Sequence, residues 1–214
     1  MARVDPDAPA IESRQVTGHH GDVPADWRGP ISVTGERWTV HAQHGLPPTY
    51  EVYRDNALLA DEFGFDLPVV GQDGDVCFVA VSTDGAPWPS LVVAQRYSPA
   101  GAGCDPGVAL PAGGDVVFIG AGERLLAYRL ADPAPPVRLW EDACDLGFFC
   151  WAIHGDTVLM SAELELAAWT VTGVKLWTMF VEPPWSYTVD GARVRLDMMG
   201  KVVQFPLRRG PRPA

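Results

Sequence analysis

The 214-residue sequence is poor in the residues on which most metal and covalent chemistry depends, with four cysteines and five histidines. Cys77, Cys104, Cys144 and Cys150 form no C-x-x-C pair, which disfavours zinc ribbons and dithiol redox sites. A Cys144–Cys150 clasp, or a zinc site recruiting His154, is a minor alternative to four reduced thiols. The opening Met1-Ala2-Arg3-Val4-Asp5-Pro6 has no apolar core of the signal-peptide kind. No run approaches the roughly 18 apolar residues that a spanning helix needs. A cytoplasmic, soluble protein is therefore expected, with no membrane partner.

Cationic residues are also scarce. Lysine and arginine number 16 against 27 acidic residues, for a formal charge of −11. A phosphate backbone calls for clustered cations, so no nucleic-acid partner is expected, and a basic protein suits this balance better. The catalytic phrases G-x-S-x-G and H-E-x-x-H, the Walker loop and the Rossmann fingerprint are all missing. Gly71-Gln72-Asp73-Gly74-Asp75 lacks the ligand repeat of a calcium loop and reads as a turn. His19-His20 is incidental, and His41 and His154 fall in or beside strands. No cofactor and no metal is expected.

What the sequence does hold is glycine, proline and repetition. Gly 22 and Pro 20 suit many short strands joined by tight turns, and 47% hydrophobic content excludes global disorder. Gly114-Asp115-Val116-Val117-Phe118-Ile119 is answered eleven residues on by Leu125 to Leu130; Gly155 to Met160 is followed likewise by Leu166 to Val171, and Gly191 to Leu196 by Val202 to Leu207. Aligning the glycines Gly35, Gly74, Gly114, Gly155 and Gly191 gives a period close to forty residues, the mark of a propeller blade.

Each unit then reads as an inner strand A, for example Ile31-Ser32-Val33, Leu67 to Val70 or Trp151-Ala152-Ile153, followed by strands B and C. Tyr50-Glu51-Val52-Tyr53 is the expected strand C of the first unit, and Asn56 to Phe63 reads as a helical turn. Val137-Arg138-Leu139-Trp140 and Val174-Lys175-Leu176-Trp177 supply fourth strands whose tryptophans are placed to staple neighbouring sheets. The expected organisation is a flexible arm over residues 1–30, anchored by Trp27, one domain over 31–207, and a flexible tail over 208–214.

Ala168-Trp169-Thr170-Val171-Thr172-Gly173-Val174-Lys175-Leu176-Trp177 resembles the repeat of quinoprotein-type propellers, in the wider WD40-like superfamily. That repeat places aspartate where Thr170 stands and its lysine one position nearer the glycine. The resemblance implies an all-β fold, a small β-propeller of about five four-stranded antiparallel blades; an open propeller-like array or a β-sandwich is the alternative. It does not bring the quinone cofactor, whose binding residues have no counterparts in this sequence.

In such a fold the loops entering strand A and the B–C hairpins share one rim. That rim collects Trp88, Glu141, Asp142, Asp145, Phe148, Phe149, Glu182 and Trp185, with His44, Asp84, Glu163, Met198 and Met199 nearby. Carboxylates steer a cationic partner and rings supply contact area, so this set is the candidate partner-binding face. The expected function is a non-catalytic binding protein, in its sharpest form an immunity or inhibitor protein of a basic toxin. The alternative is a carbohydrate-binding or glycoside-hydrolysing propeller, using carboxylates such as Asp66, Asp105, Asp142 and Glu182 around a funnel.

Overall fold

The computed structural model describes residues 31–65, 75–98 and 105–212, with the backbone of Val16–Thr17. The expected strand Leu67 to Val70, Gly74, Trp27, Asp66 and Cys104 lie outside the described residues. Within them the fold is all-β with one helix. A first sheet has the order β2-β3-β5-β6-β4 and is built from β2 Ile31–Thr34, β3 Trp38–His44, β4 Leu59–Phe63, β5 Asp75–Thr83 and β6 Leu91–Tyr97. Helix α1, Tyr50–Asn56, lies between β3 and β4.

The next two sheets are four-stranded meanders. One comprises β7 Gly107–Ala109, β8 Val116–Ala121, β9 Arg124–Arg129 and β10 Val137–Ala143; the other comprises β11 Phe148–His154, β12 Thr157–Ala162, β13 Glu165–Thr170 and β14 Lys175–Phe180. The last sheet holds β15 Trp185–Asp190, β16 Arg193–Met198 and β17 Lys201–Pro206, with β1 Val16–Thr17 paired to β15.

The A, B, C and D strands expected for the third and fourth units form in order, the last unit forms A, B and C with β1 added beside A, and four sheets stand where five are expected. The difference lies in the first two units, which merge: β3 pairs with β5, not with a strand C of its own. Tyr50-Glu51-Val52-Tyr53 is helical because Tyr50, Tyr53 and Ala57 recur at helical spacing and pack on Phe78. Leu59–Phe63, expected as a helical turn, is instead a strand running parallel to β6.

Three apolar clusters join the sheets in chain order. Val79, Val93 and Tyr97 of the first sheet meet Val117, Ile119 and Tyr128 of the second. Phe118 and Leu125 meet Met160 and Trp169 of the third. Leu159 and Leu166 meet Leu196 and Phe205 of the last. Phe148 is fully buried where β7 and β8 are glycine: a Cβ at Gly107 or Gly120 would lie 2.8 or 2.6 Å from its ring.

The two fourth-strand tryptophans staple the stack in the same way. Trp140 Nε1 donates to the Gly173 carbonyl at 2.6 Å and its ring stacks on Trp169; Trp177 Nε1 donates to the Leu207 carbonyl at 2.7 Å and its ring meets Phe205 edge-on. At the first sheet β4 takes this role, and Asp61 accepts the Tyr128 hydroxyl at 2.8 Å.

Candidate interaction rim

The turns at one end of the sheets are laced together by backbone hydrogen bonds. Cys144 and Phe148 donate to the Glu123 and Gly122 carbonyls at 2.9 and 2.7 Å, and Glu163 and Leu164 donate to Gly147 and Asp145 at 3.1 and 3.4 Å. Val181 donates to Leu164 at 2.9 Å and Met199 to Pro184 at 3.0 Å. The D-to-A loops and the B–C hairpins of the last three sheets therefore share one rim, as their spacing implies. Its turn residues include Glu123, Asp145, Glu163 and Glu182, with Arg124 and Lys201 at the adjoining strand ends.

Below the rim, buried Glu165 accepts the Thr178 hydroxyl at 2.6 Å and the Asp145 amide at 3.2 Å, which pins the 144–147 turn. The Cys144 thiol beside it is pushed up to about 12, first by burial and then by the Glu165 charge. It stays protonated at neutral pH. Cys77 and Cys144 are free thiols, so the Cys144–Cys150 clasp does not form. No group of three metal-ligating side chains occurs among the described residues.

The candidate residues do not all reach this rim. Asp145 and Glu182 are exposed on it, linked through Leu164. Glu141 and Asp142 sit at the end of β10 and are already engaged, Glu141 with Arg124 at 2.8 Å and Asp142 with Lys175 at 2.8 Å. Phe148 and Trp185 are core residues; the Trp185 indole donates to the Glu163 carbonyl at 3.0 Å. Phe149 is half-buried between the last two sheets. Trp88 is 41% exposed but lies at the opposite end: its hairpin follows Thr83, which pairs with Trp38, whereas the rim end of β6 is where Gln95 bonds the Ala121 carbonyl. The merged first sheet reverses that hairpin.

The carboxylates considered for glycoside chemistry are held separately. Asp105 lies 3.4 Å from His44, Asp142 pairs with Lys175, and Glu182 is exposed on the rim. Asp66 lies outside the described residues.

Two rim residues stand out by their backbone. Leu146 and Met199, at φ 58° and 53°, are the non-glycine residues with positive φ among those described, and each precedes a glycine that also has positive φ. Met199-Gly200 closes the two-residue β16–β17 hairpin, a place that favours Asn-Gly or Asp-Gly. Leu146 sits in the 144–147 connection between two sheets, and at both positions a bulky side chain is strained in the left-handed region. Here the first position is apolar and points outward, Leu146 50% and Met199 63% exposed. The Leu-Gly and Met-Gly pairs at turn positions were the sequence signal for this. Phe180, 62% exposed at the end of β14, adds a third apolar side chain at this end of the sheets.

No protein-family model matches the chain, and no curated protein is detectably similar to it.

Proposed function

We propose that this is a non-catalytic binding protein, an open propeller-like array of blades, whose acidic rim receives a basic protein partner. The observation that carries this reading is the pair Leu146 and Met199. Both are apolar side chains held outward on strained backbone among Glu123, Asp145, Glu163 and Glu182. Strain that packing does not explain is a pointer to function. Outward apolar side chains on a rim rich in carboxylates suit a protein interface, in which contact area gives affinity and the carboxylates steer a cationic surface. The repeated tryptophan staple supports the likeness to quinoprotein-type blades. Inhibition of a basic toxin is the sharpest form of the proposal.

The test is comparative capture from host extract with three baits: the wild type, Leu146→Asn/Met199→Asn, and Asp145→Lys/Glu182→Lys. A basic protein retained by the first and lost by the other two supports the rim. Equal retention by all three baits overturns it.

A further inference from the structure

Glu165, the first residue of β13, is a buried carboxylate, 7% exposed. It forms no ion pair among the described residues, whereas Glu141 and Asp142 hold Arg124 and Lys175. A carboxylate taken out of water without a cation costs stability unless hydrogen bonds offset the loss. Glu165 has two: it accepts the Thr178 hydroxyl at 2.6 Å and the Asp145 amide at 3.2 Å. The first donor lies on β14 of the same sheet, and the second lies in the connection from the second sheet to the third. One buried side chain therefore ties a strand to a rim turn.

The turn is strained at the residue that follows this tie. Leu146 stands at φ 58° with its side chain 50% exposed, and Gly147 follows at φ 95°. The ends of the turn are held firmly, through the Cys144 and Phe148 amides at 2.9 and 2.7 Å. Support next to Leu146 is weaker, because the Leu164 amide reaches the Asp145 carbonyl only at 3.4 Å. Relaxing φ at Leu146 would swing the Asp145 backbone out of place. The carboxylate grips that backbone by its amide, with a charge-assisted bond of the stronger kind.

We infer that Glu165 is the positioning residue of the rim. Its hold on the Asp145 amide keeps Leu146 in the left-handed conformation and so presents both side chains outward, where both are exposed. This rests on the reading of the rim as the binding face and says how that face is kept ready. The strain is met within the folded chain, so a partner need not order the turn as it binds. Glu165 itself touches no partner and acts through the turn.

A double-mutant cycle on the purified full chain, read by thermal unfolding, tests the inference. It needs no partner, so it holds or fails separately from the capture experiment. Leu146→Gly removes the strain, because glycine adopts a positive φ freely. The entropy that glycine adds to the unfolded chain is the same in every background and cancels in the cycle. The change in unfolding midpoint caused by Leu146→Gly should be more favourable by about 2–4 °C in the wild type than in Glu165→Ala, where the turn has already relaxed. In Glu165→Gln, which keeps an acceptor without the charge, the change should fall between these two. A carboxylate that only stabilises the fold would leave the Leu146→Gly change equal in all three backgrounds, and that result overturns the inference. Should the alanine variant fail to unfold cooperatively, the wild type and Glu165→Gln decide the matter by the same criterion.

Discussion

The third and last sheets share one repeat but live in different surroundings. In β12 every residue is buried, and in β13 all but the last, because neighbouring sheets cover both faces. In β16 burial alternates, with Val194 and Leu196 inside and Arg193 and Arg195 outside. The same backbone register accepts either, and the side chains record which neighbours exist. The edges differ as well. Thr170 donates its amide to Val174 where the fourth strand begins, whereas the corresponding residue of the last sheet is Pro206, which has no amide to donate. The last edge is chemically blunted at the point where a further strand would start.

The largest effects should therefore fall in the middle of the stack. Phe148→Ala empties a site shaped by Gly107 and Gly120 and is expected to cost about 3–5 kcal/mol, with Leu159→Ala in the lower part of the 2–5 kcal/mol range, about 2–3 kcal/mol. Val202→Ala, on the open face of the last sheet, should stay within about 0.5 kcal/mol of the wild type. Urea denaturation of the three variants measures this. Similar losses at Leu159 and Val202 would break the contrast between covered and uncovered sheets.

The paired tryptophans sharpen it. Trp140→Phe and Trp177→Phe each remove one indole hydrogen bond to the next turn and should each cost about 1–2 kcal/mol. Their spatial consequences should differ. Loss of the Trp177 staple frees a sheet with one covered face, so native-state hydrogen exchange should show β15 to β17 opening below the global free energy. Loss of the Trp140 staple lies inside the stack and should lower protection in the sheets on both sides. Identical exchange maps would mean that the stack opens as one unit.

Much of this architecture was legible in the sequence. The glycine-opened strands, the forty-residue spacing and the tryptophans at unit ends locate β7 to β17 because within each of those sheets these strands follow one another through local turns; β1, which joins β15 from far away in the chain, they do not locate. The first sheet was not legible, because its pairing is non-local: β3 joins β5 across a helix, and β4 joins β6 in parallel. Tyr50 and Val52 fit a strand's alternation and Tyr50 and Tyr53 a helical turn over so short a stretch, and the packing of both tyrosines on Phe78 decides for the helix. The alternation Arg193-Val194-Arg195-Leu196 was visible, and it distinguishes a one-sided strand from the continuous Val158-Leu159-Met160. On the rim, Asp145 and Glu182 were found by charge. Phe148 and Trp185 were drawn in by being aromatic, although loop-flanking rings in a stacked repeat fill the seams between sheets. Burial, which sequence spacing does not report, separates the two kinds.

A smaller effect should come from relieving the rim. Met199→Asn puts at the turn a residue that tolerates the left-handed region, and it should raise stability by about 0.5–1 kcal/mol. Stability gained together with partner affinity lost is the signature of a strained functional residue. Thermal unfolding reads the first and titration with the captured partner reads the second. A loss of stability would mean that Met199 is held by packing and is not strained.

The smallest effect concerns the seam between the third and last sheets. His154 lines a cleft of about 400 Å³ there with Asp156, Val189 and Arg208, and burial lowers its pKa from the usual 6.5. A depressed histidine is neutral in the folded state at pH values where the unfolded chain already binds a proton. Stability is therefore complete above about 6.5 and falls as the pH drops from there toward the lowered folded value. His154→Asn cannot titrate, so its unfolding midpoint should vary less with pH in that window than the wild type's. If acid loosens this seam first, hydrogen exchange at mildly acidic pH should rise in β15 to β17 before it rises in β8 and β9, and His154→Asn should remove that difference. Uniform acid sensitivity in both proteins would place the weak point of the stack elsewhere.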